Sequence, residues 1–218
     1  MVPGPNANAT PAAKFHTHRN GSYDPTLMTD LQKFYVRRFV PKGPHFLYIP
    51  PMKGTNTLGI MFLKELQAEA PASRKCLERV PERLFEWKPH EKSMPLGYLS
   101  LIVAEIPKWI QLAIEASEID FAKFEHFHPK TTAELVRHFD ENLEGVKKVL
   151  ASATDEELSE LFHLKLNGQT LMSVPKKDTI GSNINHLVHH RGQLTVYMRL
   201  NDIPVPSIYG PSADERGF

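Results

Sequence analysis

Four stretches of the sequence repeat apolar residues at the three- and four-residue spacing of an amphipathic helix. One long connection joins the third stretch to the fourth. Four long helices joined in this way predict an all-α fold, a four-helix bundle. The expected starts of the helices are Thr55, Ser93 with Pro95, the capping sequence Thr131-Thr132-Ala133-Glu134, and Asp178 as a cap.

Two local features modify this pattern. Pro71 interrupts the first helical stretch, and we expect a kink or a short break there because proline removes a backbone donor. Residues 164–171 alternate around Asn167-Gly168, the dipeptide typical of a tight turn. The sequence therefore predicts a small β-hairpin before the last helix.

The first 54 residues differ in character from the rest. Residues 1–23 are rich in Pro, Gly, Asn and Ala and predict a disordered arm. Residues 26–39 predict a short helix, and residues 45–51 an extended strap with two aromatic side chains. We interpret residues 1–54 as an N-terminal extension that wraps around the main domain, residues 55–218, or around a second subunit.

Composition excludes several classes of function. Lys and Arg number 26 against 25 Asp and Glu, and no basic stripe is present, so nucleic acid is not an expected partner. No apolar run is long enough to span a membrane, and the first thirty residues lack the apolar segment of a signal peptide. The single cysteine, Cys76, lies at helical spacing among apolar residues and predicts a core position. We therefore expect a cytoplasmic protein that does not act on membranes.

The last helical stretch carries the residues best suited to chemistry. His186 and His190 are four residues apart, so their imidazoles lie about 40° apart on one side of a helix, a spacing that can chelate a metal. A catalytic zinc-type or nickel-type site usually has three protein ligands, so a third would come from another helix. Asn183 and Tyr197 lie on the same side of the helix. The alternative is that both histidines are half-buried polar residues with local hydrogen bonds.

Other polar residues have simpler interpretations. Arg191 falls within the apolar stripe of the last helix, which predicts a carboxylate partner across a helix or subunit interface. His126, His128 and His138 occur in charged surroundings and are expected to be exposed.

Several motifs occur in the order found in one known family. The chain resembles the DinB/YfiT-like family over about residues 57–215. The matching segments are Leu77-Glu78-Arg79-Val80-Pro81, Trp87-Lys88-Pro89-His90-Glu91-Lys92-Ser93-Met94, Leu96-Gly97, Ala104-Glu105-Ile106-Pro107, the histidine stretch 186–194, and residues 204–215 from Pro204-Val205-Pro206 to Glu215.

This resemblance implies a four-helix bundle, often dimeric, in which three histidines bind nickel or zinc. Two of them match His186 and His190, but Ile102 stands where the family pattern has the third. Isoleucine cannot bind a metal, so the resemblance implies a weak or absent site unless water, Glu105 or His90 completes the set of ligands.

Characterised members of the family that this chain resembles are similar to thiol-dependent transferases and isomerases. The resemblance therefore implies a homodimer that acts as a metal-dependent transferase or hydrolase on a small-molecule substrate, with a low-molecular-weight thiol as a further partner. In that interpretation Tyr197 and Asn183 orient the substrate. The alternative is a non-catalytic module that has lost its metal and serves in small-molecule binding or as a dimeric interaction module.

Overall fold

The computed structural model describes residues 54–216. The arm, helix and strap predicted for residues 1–51 lie outside the described residues. Four long helices account for most of the described part, which confirms a predominantly helical fold. They are α1 (Thr57–Glu78), α2 (Leu96–Glu115), α3 (Thr132–Ser152) and α4 (Lys176–Leu200), with short 3₁₀ turns at Glu82–Leu84, Phe121–Lys123 and Glu157–Ser159.

Helix α2 is buried over most of its surface because apolar residues occupy nearly every position from Leu99 to Ile110. It packs against α3 and α4, and α1 packs against the same two helices. Asn142 of α3 donates through Nδ2 to the Ala104 carbonyl of α2 at 2.9 Å. This arrangement places the inner face of α4 beside Trp109 of α2.

The helix starts follow the sequence prediction in one case and depart from it in another. The Thr131 hydroxyl accepts a hydrogen bond from Glu134 N at 3.1 Å, which confirms the predicted start of α3. Helix α4 begins at Lys176 after Pro175, so Asp178 lies in its first turn and the predicted cap is wrong. Helix α1 runs through Pro71 as one continuous helix, so of the two alternatives expected there the short break is wrong and the kink stays a prediction.

A small three-stranded sheet lies between the helices in sequence, with strands β1 (Glu118–Asp120), β2 (Leu161–Leu166) and β3 (Gln169–Pro175). β2 and β3 form the predicted antiparallel hairpin, and Asn167 and Gly168 both have positive φ angles, 50° and 79°. β1 pairs with β2 in parallel and was not predicted. Its Asp120 carboxylate accepts from Asn167 N and Gly168 N at 2.9 and 2.8 Å, which ties the turn to β1.

Arg191 of α4 has the carboxylate partner that its position predicts. Its side chain is buried, and Nη2 lies 2.5 Å from Glu69 Oε2 of α1. Nη1 donates to the Glu69 carbonyl at 3.0 Å and to Ser73 Oγ at 3.3 Å. The Tyr209 hydroxyl accepts from Arg191 Nη2 and donates to Glu69 Oε2, both at 2.8 Å. The interface between α1 and α4 is therefore joined by a buried ion pair to which the C-terminal segment is also bonded.

Candidate functional site

His186 and His190 meet on the inner side of α4. Their Nε2 atoms are 2.7 Å apart, and the ring centroids are separated by 4.4 Å. Only 5% of the His190 surface is exposed, and His186 is half-buried. The helical spacing of the two residues thus brings both imidazoles together, as the sequence predicts.

The hydrogen bonds of this histidine pair fix its protons. His190 Nδ1 lies 2.7 Å from Gln193 Oε1, and an amide oxygen can only accept, so Nδ1 carries a hydrogen. A neutral imidazole has one N–H, which leaves His190 Nε2 as an acceptor. The hydrogen between the two Nε2 atoms therefore belongs to His186, which donates a hydrogen bond to His190 Nε2.

Both imidazoles are neutral near pH 7. Burial is the main cause that lowers the pKa of His186, to about 3, and the neighbouring His190 and His189 act in the same direction. Burial also lowers the pKa of His190, to about 4, although its hydrogen bond with Gln193 opposes the shift. The pair therefore offers uncharged nitrogen atoms and no positive charge.

Aromatic side chains lie beside the histidine pair. Trp109 of α2 lies with its ring centroid 5.8 Å from that of His186. Phe121 and Phe124 meet Trp109 edge-on at 6.4 and 6.5 Å. Ile102, two turns before Trp109 on the same helix, is part of the core and is 5% exposed. The position where the family resemblance implies a third histidine is therefore filled by a buried alkyl group.

These residues do not fit a three-ligand metal centre. Two nitrogens 2.7 Å apart can hold an ion from one side at about 2.0–2.1 Å each, but a catalytic site needs a third protein ligand. Across residues 54–216, no three His, Cys, Asp or Glu side chains are arranged to hold a metal ion. His90, one of the two candidate supplementary ligands, lies exposed in a loop, where its Nδ1 accepts from Lys92 N.

Glu105, the other candidate supplementary ligand, is engaged elsewhere. Its carboxylate is 1% exposed, and Oε2 accepts from His126 Nδ1 at 2.7 Å. Oε1 accepts from Phe127 N at 2.9 Å and lies 3.7 Å from His138 Nε2 of α3. Phe127 in turn stacks on the His138 ring at 4.3 Å. We call Glu105, His126, Phe127 and His138 the Glu105 cluster.

The Glu105 cluster corrects the prediction of exposed histidines. The His126 and His138 side chains are 15% and 12% exposed, while His128 is exposed as expected. One signal in the sequence indicates the cluster, because Glu105 is the charged residue within the apolar run from Leu101 to Pro107. Such a charge requires partners when it is buried.

The electrostatics of the cluster favour an ionised Glu105. Burial alone would raise the pKa of its carboxyl group, but the hydrogen bond from His126, the nearby His138 ring and the hydrogen bond from Phe127 N outweigh that effect. The resulting pKa is about 2, well below the ordinary value of 4.5. The cluster therefore joins the segment between β1 and α3 to helices α2 and α3 through one buried negative charge.

The two predicted substrate-orienting residues have local contacts. Asn183 Nδ2 donates to the Thr179 carbonyl one turn earlier at 3.0 Å. Tyr197 meets Trp87 edge-on at 5.6 Å. Both lie half-buried on the side of α4 that carries His186 and His190. Their role toward a substrate stays a prediction.

Cys76 is buried in the core, and burial raises the pKa of its thiol to about 11. It therefore has the core position that the sequence predicts and not the character of a nucleophile. None of the helices found between residues 54 and 216 has the length and apolar character needed to cross a membrane.

Comparison with known proteins agrees with this helical architecture. The Bacillus subtilis (strain 168) protein YrdA is 27% identical over 157 residues, covering 71% of this chain and 89% of YrdA. A DinB-like protein from Bacillus cereus ATCC 10987 has a similar structure, with a TM-score of 0.54 and 23% identity over 68% of this chain and 95% of that one. A DinB-like protein from Bacillus subtilis matches with a TM-score of 0.54 and 17% identity, covering 72% and 99%.

These structures define the class as helical proteins of the DinB-like fold. The model of the DinB family matches residues 52–216, which is most of the sequence. The chain belongs to the DinB family.

Proposed function

We propose that this DinB-family protein is a non-catalytic module that binds a small molecule beside His186 and His190 and does not work through a metal centre. Ile102 carries this proposal. It places a buried alkyl group where the family resemblance puts a third histidine, and a side chain without a donor atom leaves only two ligands.

The contacts of the neighbouring polar groups support the same proposal. The His186 and His190 nitrogens that would bind a metal are hydrogen-bonded to each other. Glu105 would have to give up His126 and Phe127 N to reach an ion, and its carboxylate would then lose the hydrogen bonds that hold it ionised in the core.

A second candidate is a metal-dependent transferase or hydrolase, with nickel or zinc as cofactor and a low-molecular-weight thiol as co-substrate. One observation favours it. His190 donates through Nδ1 to Gln193 and so keeps Nε2 as an acceptor, the arrangement that metal-binding histidines usually have. A four-helix bundle, a homodimer and a cytoplasmic location remain parts of both proposals.

Metal loading of the parent protein and of Ile102→His distinguishes the non-catalytic module from the metal-dependent enzyme. After incubation with excess Zn²⁺ or Ni²⁺ and desalting, we expect the parent to retain less than about a tenth of an equivalent. Ile102→His restores the three-histidine donor set and is expected to retain close to one equivalent. The measurement is elemental analysis of metal per chain.

Gln111→His is the matched control, because it adds a histidine to the same helix on the side that faces Gly145 of α3. It should retain no more metal than the parent. A parent that binds as much metal as Ile102→His would overturn the proposal. If Ile102→His does not fold, the metal content of the parent alone still decides between the two candidates.

A further inference from the structure

Two buried polar atoms of helices α2 and α4 have no hydrogen-bond partner within the described part of the chain. One is Trp109 Nε1 of α2, in a side chain whose residue is 9% exposed. The other is Thr179 Oγ1 of α4, in a residue 6% exposed. Buried polar groups are nearly always paired, so the unpaired indole N–H of Trp109, which contacts His186, requires an explanation.

The two atoms belong to α2 and α4, which pack against each other. Trp109 contacts His186 directly, with ring centroids 5.8 Å apart. Thr179 lies seven residues before His186, and seven residues are close to two helical turns, so the two share a face of α4. Asn183 and His190 lie on the same face. We call Trp109, Thr179, Asn183, His186 and His190 the α2–α4 patch.

The chemistry of the patch specifies a ligand. An indole N–H can only donate, so the missing partner of Trp109 is a hydrogen-bond acceptor. The rings of Phe121 and Phe124 around Trp109 offer apolar contacts. Lys108 Nζ, 5.8 Å from the Phe124 ring centroid, is a cation near the same aromatic group.

From these contacts we infer that the α2–α4 patch binds a small, largely apolar molecule through one accepting oxygen, which takes its hydrogen bond from Trp109 Nε1. The oxygen is that of a carbonyl or a carboxylate. This inference rests on the proposed small-molecule function and adds to it the class of ligand and the residue that recognises it.

Three probes of similar size test the inference by NMR titration of the ¹⁵N-labelled full chain. Acetophenone carries a neutral carbonyl, benzoate carries a carboxylate, and toluene has the aromatic body without oxygen. We expect acetophenone or benzoate to bind about fivefold more tightly than toluene, the effect of one hydrogen bond. Which of the two binds more tightly distinguishes a carbonyl ligand from a carboxylate ligand.

Trp109→Phe keeps an aromatic ring and removes the N–H. This variant should bind all three probes with similar affinity, whereas Trp87→Phe, at the other tryptophan, should keep the difference.

Three outcomes would overturn the inference: neither oxygen-bearing probe binds, toluene binds as tightly as both, or Trp109→Phe keeps the parent's preference. The metal-loading experiment tests the proposed function separately. That function fails if the loaded parent protein retains a full equivalent of metal. A metal-loaded parent that still prefers the oxygen-bearing probes through Trp109 would reject the proposed function and leave the ligand class standing.

Discussion

Replacing Glu105 with alanine is expected to lower the free energy of unfolding by about 3–5 kcal/mol, because it removes one partner from a buried charged network. The carboxylate is 1% exposed and accepts from His126 Nδ1 and Phe127 N. Without it, these buried donors lose their acceptor, and each lost partner costs about 1–3 kcal/mol. Urea denaturation at pH 7 measures the difference.

The same residue predicts a dependence on pH. Because the pKa of Glu105 is about 2 in the folded protein and 4.5 is its ordinary value, the ionised carboxylate contributes stability above pH 4.5. That contribution, about 3 kcal/mol for a shift of this size, is lost as the pH falls from about 4.5 to about 2. The difference in stability between the parent and Glu105→Ala should therefore shrink over this range.

Glu115→Ala is the matched control, since Glu115 is exposed on the same helix. For this variant the free energy of unfolding is expected to change by no more than about 0.5 kcal/mol. If Glu105→Ala were no more destabilising than Glu115→Ala, the Glu105 cluster would have no part in holding the segment before α3. Hydrogen exchange should also rise first in residues 121–130 of the Glu105 variant, where His126 and Phe127 lie.

Replacing Arg191 with alanine is also expected to lower the free energy of unfolding by about 3–5 kcal/mol. The guanidinium is 1% exposed, and its removal leaves Glu69 and Ser73 without the donor that joins α1 to α4. Tyr209 loses the same partner, so the C-terminal segment should be cleaved more readily by protease. Thermal or urea unfolding and limited proteolysis measure the two effects.

Arg199→Ala provides the comparison on the same helix. Arg199 pairs with Asp214, but its side chain is 50% exposed, and exposed ion pairs contribute about 0–1 kcal/mol. In a double-mutant cycle, Arg191→Ala and Glu69→Ala should be non-additive by at least about 0.5 kcal/mol. Additive losses would mean that the two side chains do not depend on each other for stability.

The fold was largely predictable because its signals are local. Helical periodicity, the capping box at Thr131 and the Asn167-Gly168 turn each act over a few residues. Strand β1 was missed because it has three residues and pairs in parallel with a strand far along the sequence. The start of α4 was misplaced because aspartate is a preferred capping residue, and Asp178 lies two positions after the true first residue, Lys176.

The site was predictable only in part, for the same physical reason. His186 and His190 are four residues apart on one helix, so their meeting follows from helical geometry alone. The Glu105 cluster joins α2, a loop and α3, and no local pattern specifies which histidines reach a carboxylate 21 residues away. Arg191 gave a clearer signal, because a charge inside an apolar stripe requires a partner.

Anomalous diffraction from crystals soaked in nickel or zinc salt tests the central claim most directly. The account predicts no anomalous peak beside α4 and a separation between His186 Nε2 and His190 Nε2 that stays near 2.7 Å. A peak about 2.0–2.1 Å from both nitrogens, at full occupancy, would contradict it and favour the metal-dependent enzyme.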